Sequence, residues 1–502
     1  MTSRNRWFVL AIVSSALFLI VIDMTVLYTA LPRLTHDLGA TASEKLWIVN
    51  AYPLVVAGLL PGLGALGDRL GHRRLFMAGL VVFGAASLMA AFSPTSPFLI
   101  AARALLAVGA AMMMPATLSI IRLTFTDEKE RAFAIGIWAA VASGGAALGP
   151  VIGGVLLEYF WWGSVFLINV PIVVAAFFFA ALLLPSRPGD ASRPWDLIGS
   201  LQIMVGLIGL AYAIKEVSKR EASIEAALFA AAIGIVATVL FVRRQRTSAA
   251  PLVDFSLFRN RRFSSGVATA LVASAALMGV ELVFSQRLQL VSGFSPLEAG
   301  LLILPIPLAS FVAGPLTGLA LPRLGSERIL SGSLAISGFG LAAFLLCYDA
   351  DPAIWLAAMG VMGFGIGAAM TAASSAIMLS APENRAGMAA SVEEVSYELG
   401  GAMGIAVLGS VMSALYSATL VLPTDARVGQ TARDSLDEAL LAAESLDPAL
   451  AEQLVMMARA AFDNAFVGVV GLAVIMLLAT AGTVWWATRR TVATSPARVP
   501  VR

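Results

Sequence analysis

Charge is scarce in this chain: Lys, Arg, Asp and Glu make up 13% of its 502 residues and 59% are hydrophobic. Soluble proteins carry about 25% charge, so these residues cannot cover a soluble surface. The mean hydropathy of +0.87 agrees. Cysteine is nearly absent, and Cys347 alone cannot form an internal disulfide. The only histidines, His36 and His72, lie far apart in polar segments, so no metal cluster is on offer. One cysteine and two remote histidines also give no nucleophile–base set, which argues against an enzyme. A net charge of +2 without a basic block excludes a nucleic-acid binder. The 44 glycines and 23 prolines follow no short period, which excludes collagen. What is left is a protein whose mass lies mostly in lipid.

What the chain does have is long apolar runs. About 20 apolar residues span a bilayer, and fourteen stretches qualify: 7–31, 46–67, 75–93, 97–121, 133–157, 164–184, 196–214, 225–242, 264–285, 298–320, 329–348, 353–378, 387–412 and 463–488. The first carries Asp23 and lacks a small-residue cleavage site, so it reads as a retained helix. An even number of spans puts both termini on one side. With that side cytoplasmic, 23 of the 33 Lys and Arg fall in inner segments and 9 in outer ones, with Arg103 inside a span. That bias predicts cytoplasmic termini.

Gly64–Arg74 and Gly318–Arg328 align at a shift of 254, sharing glycine and arginine positions; Arg131-Ala132 and Gly109 fall on Arg385-Ala386 and Gly363 at the same shift. The reading is two six-helix bundles, residues 1–184 and 264–502, with two further membrane helices and an inner loop over 185–263. Paired halves around a central cavity are a transporter architecture.

The residues now permit a comparison. Gly64-x-Leu66-x-Asp68-Arg69-x-Gly71-x-Arg73-Arg74 resembles the loop between spans two and three of the major facilitator superfamily. Phe98–Pro115, with Arg103 and Gly109, resembles its fourth-span motif. Gly136–Gly154, with Gly145, Gly149, Pro150, Gly153 and Gly154, resembles the fifth-span antiporter motif. The segments Ile22–Pro32, Trp162–Pro171, Pro251–Phe263 and Gly293–Gly300 resemble signatures of its fourteen-span drug:proton antiporters. The resemblance implies an all-α membrane protein of the major facilitator fold. It further implies proton-coupled export across a bacterial cytoplasmic membrane, with no cofactor and a monomeric state.

Physical reasons stand beside these motifs. Asp68 can accept bonds at a helix N-terminus, where the dipole favours an anion; the resemblance implies that with Gly64, Arg69, Gly71, Arg73 and Arg74 it forms a latch between the halves. The second copy has Pro322 at the aspartate's position. Small residues let helices touch closely. Arg103 costs roughly 2.5–3.5 kcal/mol at membrane depth, so it either pairs with a partner such as Asp23 or snorkels to the outer interface.

Acids at membrane depth are functional candidates by default: Asp23, Glu281, Glu393, Glu394 and Glu398. By the repeat, Asp23 falls on Leu277, one turn from Glu281. Glu394 and Glu398 share one helix face, and Glu393 and Tyr397 form the stripe beside it. The expected division has Asp23, Arg103 and Glu281 in proton coupling, and Glu393, Glu394, Glu398 and Tyr397 on a cationic substrate. Trp47 and Tyr52 either line an outer vestibule, where cation–π contact suits a cation, or belong to an interfacial aromatic belt. Asn50 occupies a position where some cation pumps of this type carry an acid. The acidic stripe points to lipophilic organic cations, such as quaternary ammonium compounds and dyes, and other drugs as cargo; the alternative is a metabolite such as an amino acid or siderophore. Residues 413–460, with seven acids and three arginines, are expected to form a helical hairpin outside span thirteen, its second arm starting at Asp447-Pro448.

Overall fold

A computed structural model describes residues 3–40, 42–186, 188–190, 192, 195–217, 223–248, 251–422, 430–433 and 435–492. Its helices are α1 (Ser3–Asp37), α2 (Ala42–Leu70), α3 (His72–Ala91), α4 (Ser96–Thr124), α5 (Glu128–Tyr159), α6 (Ser164–Leu167), α7 (Asn169–Leu183), α8 (Leu197–Val217), α9 (Ile224–Thr247), α10 (Arg261–Gln286), α11 (Pro296–Ile303), α12 (Pro305–Leu324), α13 (Ser326–Cys347), α14 (Pro352–Ser380), α15 (Ala386–Thr419), α16 (Leu436–Ala443) and α17 (Pro448–Val492). Among the described residues, fourteen helical segments are long and apolar enough to cross a membrane. Two of them are interrupted: α6–α7 just before Asn169-Val170-Pro171, and α11–α12 at Leu304 before Pro305. Proline lacks the N–H that would continue the ladder.

Helix starts follow local chemistry. Thr95, Asp127, Ser223, Ser295 and Asp351 accept backbone N–H bonds at the starts of α4, α5, α9, α11 and α14. Outward faces stay apolar, as lipid requires: Phe178, Phe229 and Phe339 are exposed.

The 254-residue shift reappears as geometry. α2 ends and α3 begins around Gly71, and α12 ends and α13 begins around Gly325, its counterpart. Both glycines adopt positive φ, 96° and 76°, a region that glycine enters without strain. One apolar core is built chiefly from α1–α7, another chiefly from α10–α17. They meet along two seams, α2 with α15 and α5 with α12. The seams are images of each other. Gly64 abuts Gly387 on one; Gly318 abuts Ala132 and Phe133 on the other, and in neither place is there room for a side chain. Both contacts lie toward the end of the bundle where α1 begins and α17 ends.

The segment between spans thirteen and fourteen differs from expectation. α15 runs to Thr419, α16 provides one short arm, and the second arm is no separate element: α17 starts at Pro448 and continues unbroken as the last span. The apolar stripe of Leu454, Ala458, Ala461 and Phe462 joins the packed core, which keeps the helix continuous. Asp425, Arg427 and Asp434 lie outside the described residues.

Candidate functional site

Asp23 is buried in the middle of α1 at 1% exposure. Arg103 of α4, equally buried, donates from Nη1 to its Oδ2 at 2.7 Å. The guanidinium is therefore paired rather than snorkelling. Its Nε donates to the Ile48 carbonyl at 3.3 Å, and it lies over the Tyr52 ring, 4.8 Å from the centroid. Asn169 of α7 donates from Nδ2 to the other carboxylate oxygen, Oδ1, at 3.1 Å, and to the Ser87 hydroxyl at 3.3 Å. The Asp23 carboxyl thus has a cationic donor on one oxygen and an amide donor on the other. A charge-assisted pair of this kind in low dielectric is stable only while each partner keeps the other.

Tyr52 corrects a sequence expectation. It lines no vestibule: it is fully buried, and its hydroxyl has no hydrogen-bond partner among the described residues. It packs in the core of the first half, beneath the Arg103 guanidinium. Trp47, in contrast, is exposed and stacks on Tyr212 of α8, centroids 6.0 Å apart. Asn50 is half-buried.

The acids of α15 gather as their spacing predicts. Glu393 is buried; the Ser374 hydroxyl donates to its Oε1, and its Oε2 has no partner among the described residues. Glu394 is 4% exposed and its Oε1 is likewise unpartnered there. Glu398, one turn on, is half-buried. Tyr397 donates to the Met370 carbonyl at 3.2 Å. Glu281 of α10 is half-buried, with no hydrogen bond or ion pair among the described residues. No direct contact joins it to Asp23.

Of the six residues expected to form a latch, Gly64 and Asp68 meet the opposite half. Asp68 accepts from the backbone N–H of Gly387 at 2.9 Å and of Met388 at 3.2 Å, so it caps α15 from across the seam. His72 pairs with it at 3.2 Å. Arg73 donates to the Ala181 carbonyl at 2.6 Å, Arg69 is half-buried and Arg74 is exposed. Arg122 of α4 adds a bond to the Ala381 carbonyl. The fifth-span glycines serve a different contact: Gly145, Gly149 and Gly153 seat α5 on α1 within one half, and Gly154 has nothing near it. α5 passes through Pro150 without a break. Of the α5 glycines, Gly136, against Gly314, and Gly144, against Phe311, cross between the halves.

Asn169, Ser87, Ser374, Tyr212 and His72 were not singled out from sequence. Asn169 had a signal: it is an amide inside an apolar run, where an unpaired polar group is costly. The described residues hold no group of three or more metal-ligating side chains.

Comparison with known proteins follows the same lines. The model of the Major Facilitator Superfamily matches residues 13–405. The chain is similar to the methyl viologen resistance protein SmvA of Salmonella typhimurium, at 42% identity over 91% of this chain and 93% of that one. It is similar to the multidrug efflux pump LfrA of Mycolicibacterium smegmatis, at 39% identity over 97% of each. It also resembles the methylenomycin A resistance protein of Bacillus subtilis, at 33% identity over 82% of this chain and 88% of that one. Among solved structures, the human organic anion transporter MFSD10 (TETRAN) shares the fold with a TM-score of 0.61, at 14% identity, covering 95% of this chain and all of that one.

Proposed function

Because the chain belongs to the major facilitator superfamily, we propose that it is a proton-coupled antiporter exporting lipophilic organic cations, quaternary ammonium compounds and dyes among them, and other drugs. It works as a monomer in a bacterial cytoplasmic membrane, with cytoplasmic termini and no cofactor. Residues 1–184 and 264–502 are its two moving halves, and 185–263 is the linker pair of helices with its inner loop.

The observation that carries this reading is the stripe of acids on α15. Glu394 keeps a buried oxygen without a partner among the described residues, beside Glu393 and Glu398. An unpaired carboxylate oxygen in a low-dielectric site attracts either a proton or a cation, and one occupant displaces the other. Such a site suits a cation that cannot donate hydrogen bonds, because charge alone holds it. A relative's printed name, methyl viologen resistance protein, fits this chemistry: methyl viologen is a dication without N–H groups. Asp23 and Arg103 take the proton-coupling role with Glu281. Glu393, Glu394, Glu398 and Tyr397 take the cation, with Trp47 and Asn50 toward the opening. Asp68 and its neighbours latch the inner end.

The reaction is an exchange, with protons moving inward as cations leave. In proteoliposomes holding a pH-sensitive dye, adding methyl viologen or a quaternary ammonium compound should drive proton movement. Glu394→Gln with Glu398→Gln should abolish the cation-driven signal. Full flux in that double variant, or no flux with any cation, contradicts the proposal.

A further inference from the structure

Asn169 takes no part in the mechanism above, yet its amide touches the carboxylate that the mechanism assigns to the proton. It is fully buried at the first position of α7, where the sixth span breaks. Its NH2 group is fully used: one bond to Asp23 Oδ1, one to the Ser87 hydroxyl. Its carbonyl oxygen, Oδ1, is buried with no partner among the described residues. A buried acceptor left unmade is costly, so its retention calls for a reason.

We propose that Asn169 is a positioning residue that reads the protonation state of Asp23 by turning its amide over. This rests on the reading of Asp23 as the proton-carrying acid. In the present arrangement the amide donates to an ionised carboxylate. When Asp23 takes a proton at Oδ1 it becomes a donor there, and the amide N–H that faces it no longer has a lone pair to meet. A half-turn about the Asn169 Cβ–Cγ bond exchanges N–H for C=O at the same place. The idle carbonyl then accepts the Asp23 O–H. The Ser87 hydroxyl both accepts and donates, so it follows either orientation by rotating its proton. No covalent bond changes apart from the proton on Asp23.

The other groups facing Asp23 cannot do this. Arg103 offers only donors. Tyr52 lies under the Arg103 guanidinium, and neither its hydroxyl nor Glu398 is hydrogen-bonded to Asp23. Asn169 is therefore the group beside Asp23 able to satisfy both of its states. Without it, the ionised form loses a donor held by Oδ1 and the protonated form loses its acceptor.

The test uses the full chain in proteoliposomes, comparing wild type with Asn169→Leu, which keeps the approximate shape, and Ser87→Ala, which removes only the rotating hydroxyl. Asn169→Leu removes a charge-assisted bond from the ionised form and a weaker neutral bond from the protonated form; the difference, set against 1.36 kcal/mol per pH unit, moves the pH midpoint of exchange upward by up to about one unit. Ser87→Ala should move it the same way by less. Difference infrared spectra supply a readout that folding alone does not move. The protonated-carboxyl stretch of Asp23, identified by its loss in Asp23→Asn, should shift to higher frequency in Asn169→Leu because its O–H has no acceptor. An unmoved midpoint and an unmoved stretch in Asn169→Leu overturn the role of Asn169 while leaving Asp23 in place. A wild-type pH profile in Asp23→Asn overturns the reading of Asp23 itself, and the amide's role with it.

Discussion

Each oxygen of Asp23 has its own donor, Arg103 on one and Asn169 on the other. The energetic consequence is lopsided. Removing one partner of a buried ion pair costs about 3–5 kcal/mol, whereas replacing both with apolar side chains is often neutral. Arg103→Met should therefore lower the thermal midpoint in detergent well below wild type. Asp23→Leu with Arg103→Met should recover most of the loss, while exchange stays absent in both. A double variant as unstable as the single one would show that packing of the guanidinium under Tyr52, rather than charge, is the source. A second ion pair behaves differently because its acid, Asp254, lies outside the spans. Arg385 contacts Asp254 at 2.7 Å. Hydrogen bonds from Ser256, its hydroxyl foremost, together with Arg385 hold the Asp254 carboxyl below its ordinary range, against the opposing effect of burial. A depressed carboxyl contributes stability that is complete above its unfolded value and is lost as pH falls through the folded one. The midpoint difference between wild type and Asp254→Asn should thus be constant from about pH 5 to pH 8 and shrink only in stronger acid. Its size should be about 1 kcal/mol or less. Any titration of that difference near neutrality contradicts the assignment. At this scale the sequence was legible wherever a residue was charged: Asp23, Arg103 and the α15 acids stand out in apolar runs. Asn169 escaped because it is neutral. Tyr52 was misplaced because spacing along a helix says nothing of how that helix is rotated against its neighbours.

Helix ends decide the difference between the two seams. α5 caps itself, since Asp127 accepts from the N–H groups of Lys129 and Glu130 at 3.0 Å. α15, its counterpart by the repeat, has Arg385 before its first residue and no side-chain cap of its own. Asp68 supplies the cap from the other half, at Gly387 and Met388. On the symmetric seam Pro322 stands where Asp68 would be, so that contact has packing but no equivalent cap. One seam therefore carries a polar cap across it, the other only close packing along Gly136, Gly314 and Gly318. Asp68→Ala leaves two orphaned helix N–H groups, and bonds to a charged acceptor are worth about 1.5–3 kcal/mol each. The inner end should then open at least about tenfold more often. Ser391 is 1% exposed and lies against Gly64, so Ser391→Cys in a Cys347→Ala background reports the opening. Its thiol should react faster in Asp68→Ala and at an unchanged rate in Pro322→Ala. Equal rates in all three would mean that Asp68 is no latch. The loop motif was readable from its spacing, as was Pro322 at the aspartate's position in the second copy. That the capped helix belongs to the other half was not, because no local pattern names a partner more than 300 residues away.

For the whole molecule, the repeat was legible in the chain itself, since a glycine at a fixed shift marks the same turn twice. The place of the two extra helices was not, because lipid-facing helices carry little pattern beyond hydrophobicity. α8 lies along α2. Ser200 sits against Gly62, Met204 and Ile208 against Gly58, and Trp195 donates to the Gly62 carbonyl at 3.1 Å. α9 is tied to the same unit, as Arg244 and Gln245 bond Asp196 at the start of α8. Along α15 itself the contact is of another kind: Val395 and Leu399 pack on the apolar cluster of Ile203, Leu207, Phe241 and Leu252, and only the segment after α9 bonds the start of α15, through Asp254 and Arg385. Hydrogen bonds and close glycine contacts fix geometry, whereas apolar contact is non-directional and tolerates sliding. If the halves rock about their seams, α8 and α9 should travel with the first half and wipe across α15, covering the seam from lipid throughout. In a Cys347→Ala background, cross-linking Gly62→Cys to Ser200→Cys should leave transport near wild type, since those sites move together. Joining Leu207→Cys to Val395→Cys with a short bifunctional maleimide should arrest it, and cleavable versions of the linker should restore it. Arrest by the first pair and free transport with the second would place the extra helices on the other half and reverse the direction in which the seam slides.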